Sequence, residues 1–269
     1  MVEYSTRFKR CAEAWFDEAE PVGPYDVVIR HRAPVRGTDR ATSVFYTLRV
    51  DLTRSEDEIF KGFTRNTRAQ IRKSVESDDF RFEFLDEPTL LQLQEFVEFY
   101  DQFADSKGLP RLFMPRMQAH MRSGLLSLTK VTASDRALAW HANVIRNAHV
   151  GIMFSASHHR SEDLPEARKM IGRANRRLHW EEMQHYRNRG LGIYDFGGWY
   201  EGSDDQEKLL INRFKEEFGG SKVLAFTVIE DRSLRAKFIS AIKVLRGAFS
   251  ERTLSWFIAV FFVSGAAIP

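Results

Sequence analysis

The sequence predicts an α/β (α+β) domain built on a mixed sheet, and three observations carry that expectation. Runs of aromatic and β-branched residues, "SVFYTLRVDL" among them, roughly alternate in the manner of strands. Between such runs lie stretches with apolar residues three and four apart, the period of an amphipathic helix. Two consecutive strand-like runs meet at "IRNAHVG", a tight-hairpin signal, so the sheet contains antiparallel pairing.

In chain order, "YDVVIRHR" (25–32) and "SVFYTLRVDL" (43–52) read as strands. "SEDEIFKGFTRNTRAQIRKSVES" (55–77) reads as one helix, with Ser55 as N-cap and Glu58 completing a capping box. "RFEFL" (81–85) is a short alternating strand, and "PTLLQLQEFVEFYDQFADSKG" is an amphipathic helix ending near Gly108. "LLSLTKVTA", "RALAWHANVIR" and "HVGIMFSASH" follow as three strands. The next stretch, "LPEARKMIGRANRRLHWEEMQHYRNRG", is a long helix with Pro165 near its start and Gly190 past its end. "LGIYDF" returns to strand, and "LLINRFKEEFGG" is helical. There Leu210, Phe214 and Phe218 share a face, and Gly219 or Gly220 provides the left-handed stop. "KVLAFTVI" is the last strand, and "RSLRAKFISAIKVLRGAF" is a basic helix.

These elements group into a principal domain at residues 40–230, an accessory segment at 1–39, and a tail at 231–269. With 43% apolar and 29% charged residues the chain carries both a sizeable core and a charged surface. A formal charge of +3 gives no global field for nucleic acid. The single cysteine, Cys11, excludes an intrachain disulfide and has no activating neighbours. "MVEYSTRFKRCAEAWF" carries charges where a secretory signal has its apolar stretch, which sets the expectation of a cytoplasmic protein. "LSWFIAVFFVSGAAIP" (254–269) is apolar but short: about fifteen residues make roughly 22 Å of helix against a hydrocarbon core of about 30 Å. It is read either as a packed terminal element or as a peripheral contact with the inner face of a membrane.

Two segments carry chemistry-bearing residues. Arg65, Arg68 and Arg72, with Lys73 beside them, align on one helical face and suit either solvation or a phosphate-bearing ligand. In "LGIYDFGGW", Asp195 stands near a strand end before Gly197 and Gly198, where the backbone can turn or approach a ligand closely. Lys215 lies one step round from Phe214, where an ammonium either reaches solvent or enters a neighbouring cleft. No metal site is expected. His158 and His159 point to opposite sides of a strand, and the "EEMQH" run lacks the second histidine of a metalloprotease motif. His179 and His185, with Glu181 and Glu182, lie on the long helix, and Arg173, Arg176 and Arg177 suit either surface solvation or an RNA backbone.

"TRNTRAQIRKS", "HWEEMQHYRNRG", "YDFGG" and "RFKEEFGG", in that order and leading into "KVLAF", resemble the Fem family over about residues 63–229. These are aminoacyl-tRNA-dependent peptidyltransferases on an N-acetyltransferase-like (GNAT) fold. The resemblance implies a mostly antiparallel mixed sheet flanked by helices and an acyl transfer without metal. The donor it implies is aminoacyl-tRNA, and the acceptor is an amine of a peptidoglycan precursor or another small or lipid-linked molecule. It makes Lys215 the charge-stabilising catalytic residue, with Phe214 as its packing neighbour. It also makes the Tyr194, Gly197, Gly198 and Trp199 turn part of the cleft, with Asp195 orienting or deprotonating the acceptor. The chain has room for one GNAT unit where well-known Fem members have two. An acyl-CoA donor and a non-catalytic scaffold of an envelope pathway are the alternatives. The first is disfavoured by the acidic, glycine-free "RSEDLPEARK", found where a pyrophosphate loop is expected.

Overall fold

The computed structural model describes residues 1–36, 41–157 and 164–248; His158, His159 and the tail at 254–269 fall outside them. Ten strands form one sheet. They are β1 (Val2–Ser5), β2 (Arg10–Trp15), β3 (Val27–Ala33), β4 (Ala41–Asp51), β5 (Arg81–Leu85), β6 (Leu126–Ala133), β7 (Arg136–Arg146), β8 (His149–Ser157), β9 (Ile193–Trp199) and β10 (Ser221–Asp231). Their spatial order is β1-β2-β3-β10-β4-β9-β8-β7-β6-β5. Only β2–β3 and β8–β9 pair in parallel; the other neighbours are antiparallel. The helices are α1 (Glu56–Gly62), α2 (Arg65–Ser77), α3 (Leu90–Lys107), α4 (Met114–Arg122), α5 (Pro165–Asn188), α6 (Gln206–Glu216) and α7 (Leu234–Ala248). No helix among the described residues is long and apolar enough to cross a membrane.

Local sequence explains most of these boundaries. The Ser55–Glu58 capping box is formed, and Gly108 ends α3 at φ 62°. Asn147, at φ 53°, makes the two-residue β7–β8 hairpin, in which Arg146 faces His149. Gly219 and Gly220 both hold positive φ after α6.

Three expectations need correction. The stretch 55–77 is two helices, because Phe63 is extended and buried while the Thr64 hydroxyl accepts from Thr67 N and starts a new helix. Residues 1–33 supply three strands of the same sheet; β3 pairs with β10, so this segment is structurally continuous with the rest. Leu210 is exposed, so of the expected apolar face only Phe214 on α6 and Phe218 just beyond its end pack into the core. The structure also adds α4, whose start is marked only by Pro115.

The two faces of β7 show how the layers meet. Trp140 and Ala142 pack with Leu93, Phe96 and Tyr100 of α3, while His141 and Asn143 point to Glu182 of α5. Helices therefore cover both faces, and the second face carries an unusually polar seam. A further core, between β4, β8, β9 and helices α1, α2 and α5, includes Leu48, Val50, Phe63, Ile71, Ile152, Met183, Phe196 and Phe218.

Candidate active site

Strands β8 and β9 pair only from His149–Ile193 to Gly151–Asp195, and then part. A cleft of about 1550 Å³ opens there, lined by Ile152, Met153, Phe154, Ser155 and Ser157 of β8 and by Phe196 to Trp199 of β9. The α6 residues Phe214 and Lys215 and the α5 residues Asn175, Arg176 and His179 complete this part of the wall. Parted parallel strands leave backbone groups without ladder partners, which is where an extended ligand can hydrogen-bond. Opposite, β9 carries a bulge: Arg49 faces Asp195 but Thr47 faces Gly198, so β9 has one extra residue. Gly197 absorbs it at φ 76°, and a Cβ there would sit 3.1 Å from the Ile152 carbonyl oxygen.

The bulge turns two carbonyls toward Lys215. Its Nζ donates to Gly198 O and, at 3.3 Å, to Gly197 O. Burial brings the ammonium down to about 8; Arg32 pushes the same way and Asp195 opposes both. Lys215 is thus a fixed cation in the cleft wall, close to its own deprotonation at neutral pH. Phe214 packs edge-on against Phe218 at 5.4 Å and lies under the Arg176 guanidinium at 5.1 Å, which holds α6 in place beside the cleft.

Asp195 lies beneath this floor, fully buried. Its Oδ1 accepts from Arg32 Nη1 (2.9 Å), Thr47 Oγ1 (2.6 Å) and Gly197 N (2.8 Å), and Oδ2 accepts from Arg49 Nε (2.9 Å). Burial disfavours its charge, but Arg32, Arg49 and the Thr47 hydroxyl outweigh that and hold the carboxyl below its ordinary range. A saturated, depressed carboxylate outside the cleft lining cannot take a proton from a substrate, so the base role expected for Asp195 is corrected. It organises the bulge instead. Its main partner comes from the N-terminal strands: Arg32, at φ 53°, lies within 5.6–5.8 Å of the Trp15, Phe16 and Phe45 rings and also donates to Ile152 O. Gly151 makes room for it, since a Cβ there would lie 2.2 Å from Arg32 Nη1.

The other expected residues divide. Gly197, Gly198, Trp199, Phe214 and Lys215 line the cleft together. Tyr194 is buried away from it, bonded to His179 and Glu182. Arg65, Arg68, Arg72 and Lys73 are not in the cleft lining either. Arg68 donates to the Lys61 and Phe63 carbonyls at the end of α1, and Arg72 lies over Phe60 at 5.5 Å; both are engaged in joining α1 to α2. The cations that do line it include Arg32, Arg116, Arg176 and Arg213.

Sequence reading missed the polar seam behind the cleft. Glu182 is fully buried and accepts from Thr129, Asn143 (3.1 Å) and Tyr194, with His141 Nδ1 at 3.0 Å from each oxygen. His179 Nδ1 lies 2.8 Å from Tyr194 Oη, and His141 Nε2 lies 3.1 Å from Asn175 Oδ1. The available signal was the spacing of His179 and Glu182, three apart on α5 and hence on one face. Among the described residues His141, His179 and Glu182 are the group whose ligand atoms come close enough to hold a metal, all within 4.8 Å. Those facing atoms are already satisfied by one another and by Tyr194 and Thr129, so the group reads as a hydrogen-bond network.

Residues 61–216 match the family described as the acetyltransferase (GNAT) domain. No curated protein matches the sequence. Among solved structures, FemX superposes with a TM-score of 0.55 at 14% identity, covering 80% of this chain and 68% of that one. The C-terminal domain of a protein assigned as lysylphosphatidylglycerol synthetase in Agrobacterium fabrum gives 0.52 at 12% identity, covering 81% and 72%. At these identities the likeness concerns the fold.

Proposed function

The chain belongs to the acetyltransferase (GNAT) domain family and is an acyltransferase, and from that premise we propose that it moves an aminoacyl group from aminoacyl-tRNA to an amine. The acceptor is a small or lipid-linked precursor of the cell envelope, reached from the cytoplasmic side, with the apolar tail at 254–269 as a peripheral membrane contact. The observation that carries this reading is Lys215, held on the two glycine carbonyls at the mouth of the strand split. An ammonium has three donors, and two are spent on Gly197 and Gly198. The third has no partner among the described residues and can meet the oxyanion that forms when an amine adds to an ester carbonyl. A fixed donor of this kind contributes about 3 kcal/mol to the transition state.

Gly197 and Gly198 position that ammonium, Phe214 packs beside it, and Trp199 offers a flat apolar wall for the donor or acceptor. Attack is direct, with no covalent enzyme intermediate. The names of FemX and of the lysylphosphatidylglycerol synthetase support the aminoacyl class by fold alone. The test incubates the full chain with radiolabelled aminoacyl-tRNA and cell extract. Label moving to a small or lipid-soluble product, and abolished in Lys215→Ala, is expected. A melting-temperature rise with coenzyme A, together with transfer from acyl-CoA and none from tRNA, would replace this donor by the thioester. Consumption of neither donor would favour the scaffold.

A further inference from the structure

We infer that His179 takes the proton from the acceptor nucleophile, and that Tyr194 and Glu182 are positioning residues that prepare it. The inference rests on acyl transfer in this cleft, and it holds for an ester or a thioester donor.

The hydrogen bonds fix the tautomer. The Tyr194 hydroxyl donates to Glu182 Oε2, which spends its one proton. Its oxygen can then only accept from His179 Nδ1, 2.8 Å away. Nδ1 therefore carries the ring hydrogen and Nε2 a lone pair. The residue is 2% exposed and lines the cleft. Nε2 has no hydrogen-bond partner among the described residues, and it is not one of the sealed, unpartnered polar atoms of the interior. An unpartnered acceptor nitrogen on a buried residue that lines the cleft is placed to receive a donor from a ligand.

The groups packed on the ring favour, on balance, a neutral, acceptor state. Phe196, Phe214 and Phe218 surround it at 4.9, 5.5 and 5.2 Å. Burial holds the imidazole well below its ordinary value; His141 of β7 pushes it down too, Glu182 of α5 opposes, and Lys215 of α6 and Arg176 of α5 add to the lowering. An imidazolium formed during reaction is stabilised by Glu182 through Tyr194, as a carboxylate steadies a catalytic histidine in other acyl transfers.

The step balances. A neutral amine adds to the acyl carbon, forming the C–N bond; the carbonyl electron pair moves to oxygen beside Lys215, and the N–H proton passes to Nε2. The carbonyl then re-forms, the bond to the departing oxygen or sulfur breaks, and that atom takes the proton back from Nε2.

Two measurements test it. Long-range ¹H–¹⁵N spectra of the ¹⁵N-histidine-labelled full chain at pH 7, assigned with His179→Gln, should show His179 protonated at Nδ1 alone; a proton on Nε2 overturns the inference. Independently, transfer from radiolabelled aminoacyl-tRNA into extract acceptors is followed against pH. His179→Gln should slow it about 10²–10⁴-fold and abolish the acidic limb, the fall in rate as the imidazole is protonated. Tyr194→Phe removes the link to Glu182, so the imidazole loses its support, the rate falls less, and the acidic limb moves to lower pH. A His179→Gln protein with the wild-type rate and acidic limb refutes the base. If wild type moves nothing from tRNA, the donor reading fails by itself; the same profile is run with acetyl-CoA, and should that too be inert, the tautomer decides.

Discussion

Replacing Asp195 by Asn tests how the cleft floor is held. The carboxylate binds two guanidinium groups that differ in access: the Arg32 side chain is 6% exposed and that of Arg49 is 20%. Oδ1 takes three donors and Oδ2 one, so the amide will keep its oxygen toward Arg32, Thr47 and Gly197 and turn its nitrogen toward Arg49. Arg49 then loses its partner and swings to solvent, while Arg32 keeps a hydrogen bond but loses its counter-charge in a buried site. Breaking a buried pair from one side costs about 3–5 kcal/mol, and the retained bonds to Oδ1 put the expected loss near the lower end, about 3 kcal/mol. Urea denaturation should show a lower midpoint with an unchanged slope. The pH dependence supplies an independent check. The carboxyl of Asp195 is depressed in the folded state, so its stabilisation is full above the unfolded value of about 3.9 and is lost as pH falls through the folded value. Wild type should therefore lose stability in that acid window, and Asp195→Asn should lose less there. A variant within about 0.5 kcal/mol of wild type, the range of ordinary surface changes, would show that the Arg32–Asp195–Arg49 arrangement does not hold the floor.

Asp195 also supports the charge of Lys215, so Asp195→Asn should move the alkaline fall in transfer rate below about pH 8, the wild-type position set by Lys215; an unmoved limb would assign that fall to another group. Lys215→Ala should slow transfer about 10²–10³-fold while far-UV circular dichroism stays native, because among the described residues the ammonium bonds only to glycine carbonyls. Gly151→Ala drives a methyl to 2.2 Å from Arg32 and 2.8 Å from Phe16, an overpacking worth about 1–3 kcal/mol or more, read as a lower melting temperature. Glu13→Gln removes the charge that Arg116 meets in a two-bonded pair at 2.7 and 2.9 Å inside the β2–α4 seam, and should cost about 3–5 kcal/mol in urea titration. Arg65→Ala with Lys73→Ala should leave stability within about 0.5 kcal/mol and transfer unchanged, since neither residue lines the cleft; a slower variant would reinstate the phosphate role first considered for that face.

The elements were legible wherever a short stretch of chain fixes its own conformation. The Ser55–Glu58 box, the turn at Asn147, the Gly108 stop and the run "RFEFL" follow from caps, turn residues and alternation that need no distant partner. Lys215 was singled out differently: its place beside Phe214 left solvent and cleft both open, and the resemblance of "YDFGG" and "RFKEEFGG" to the Fem family pointed to the cleft. The joint between α1 and α2 was hidden because Thr64 caps a helix only once Phe63 is drawn into the core.

By itself, then, the sequence determined most of the strands and helices and where most of them stop, though not β1, β2, α4 or the joint between α1 and α2. Tertiary structure alone decided what those groups can do. Asp195 reads the same in sequence as a base or as a buried anchor, and Arg32, 163 positions away, makes it the anchor. In sequence His179 and Glu182 were only two polar positions on a long helix; β7 and β9 bring His141, Asn143 and Tyr194 against them. Periodicity reports which face of an element is apolar, whereas desolvation and pairing, which set protonation and reactivity, depend on neighbours that only the assembled fold supplies.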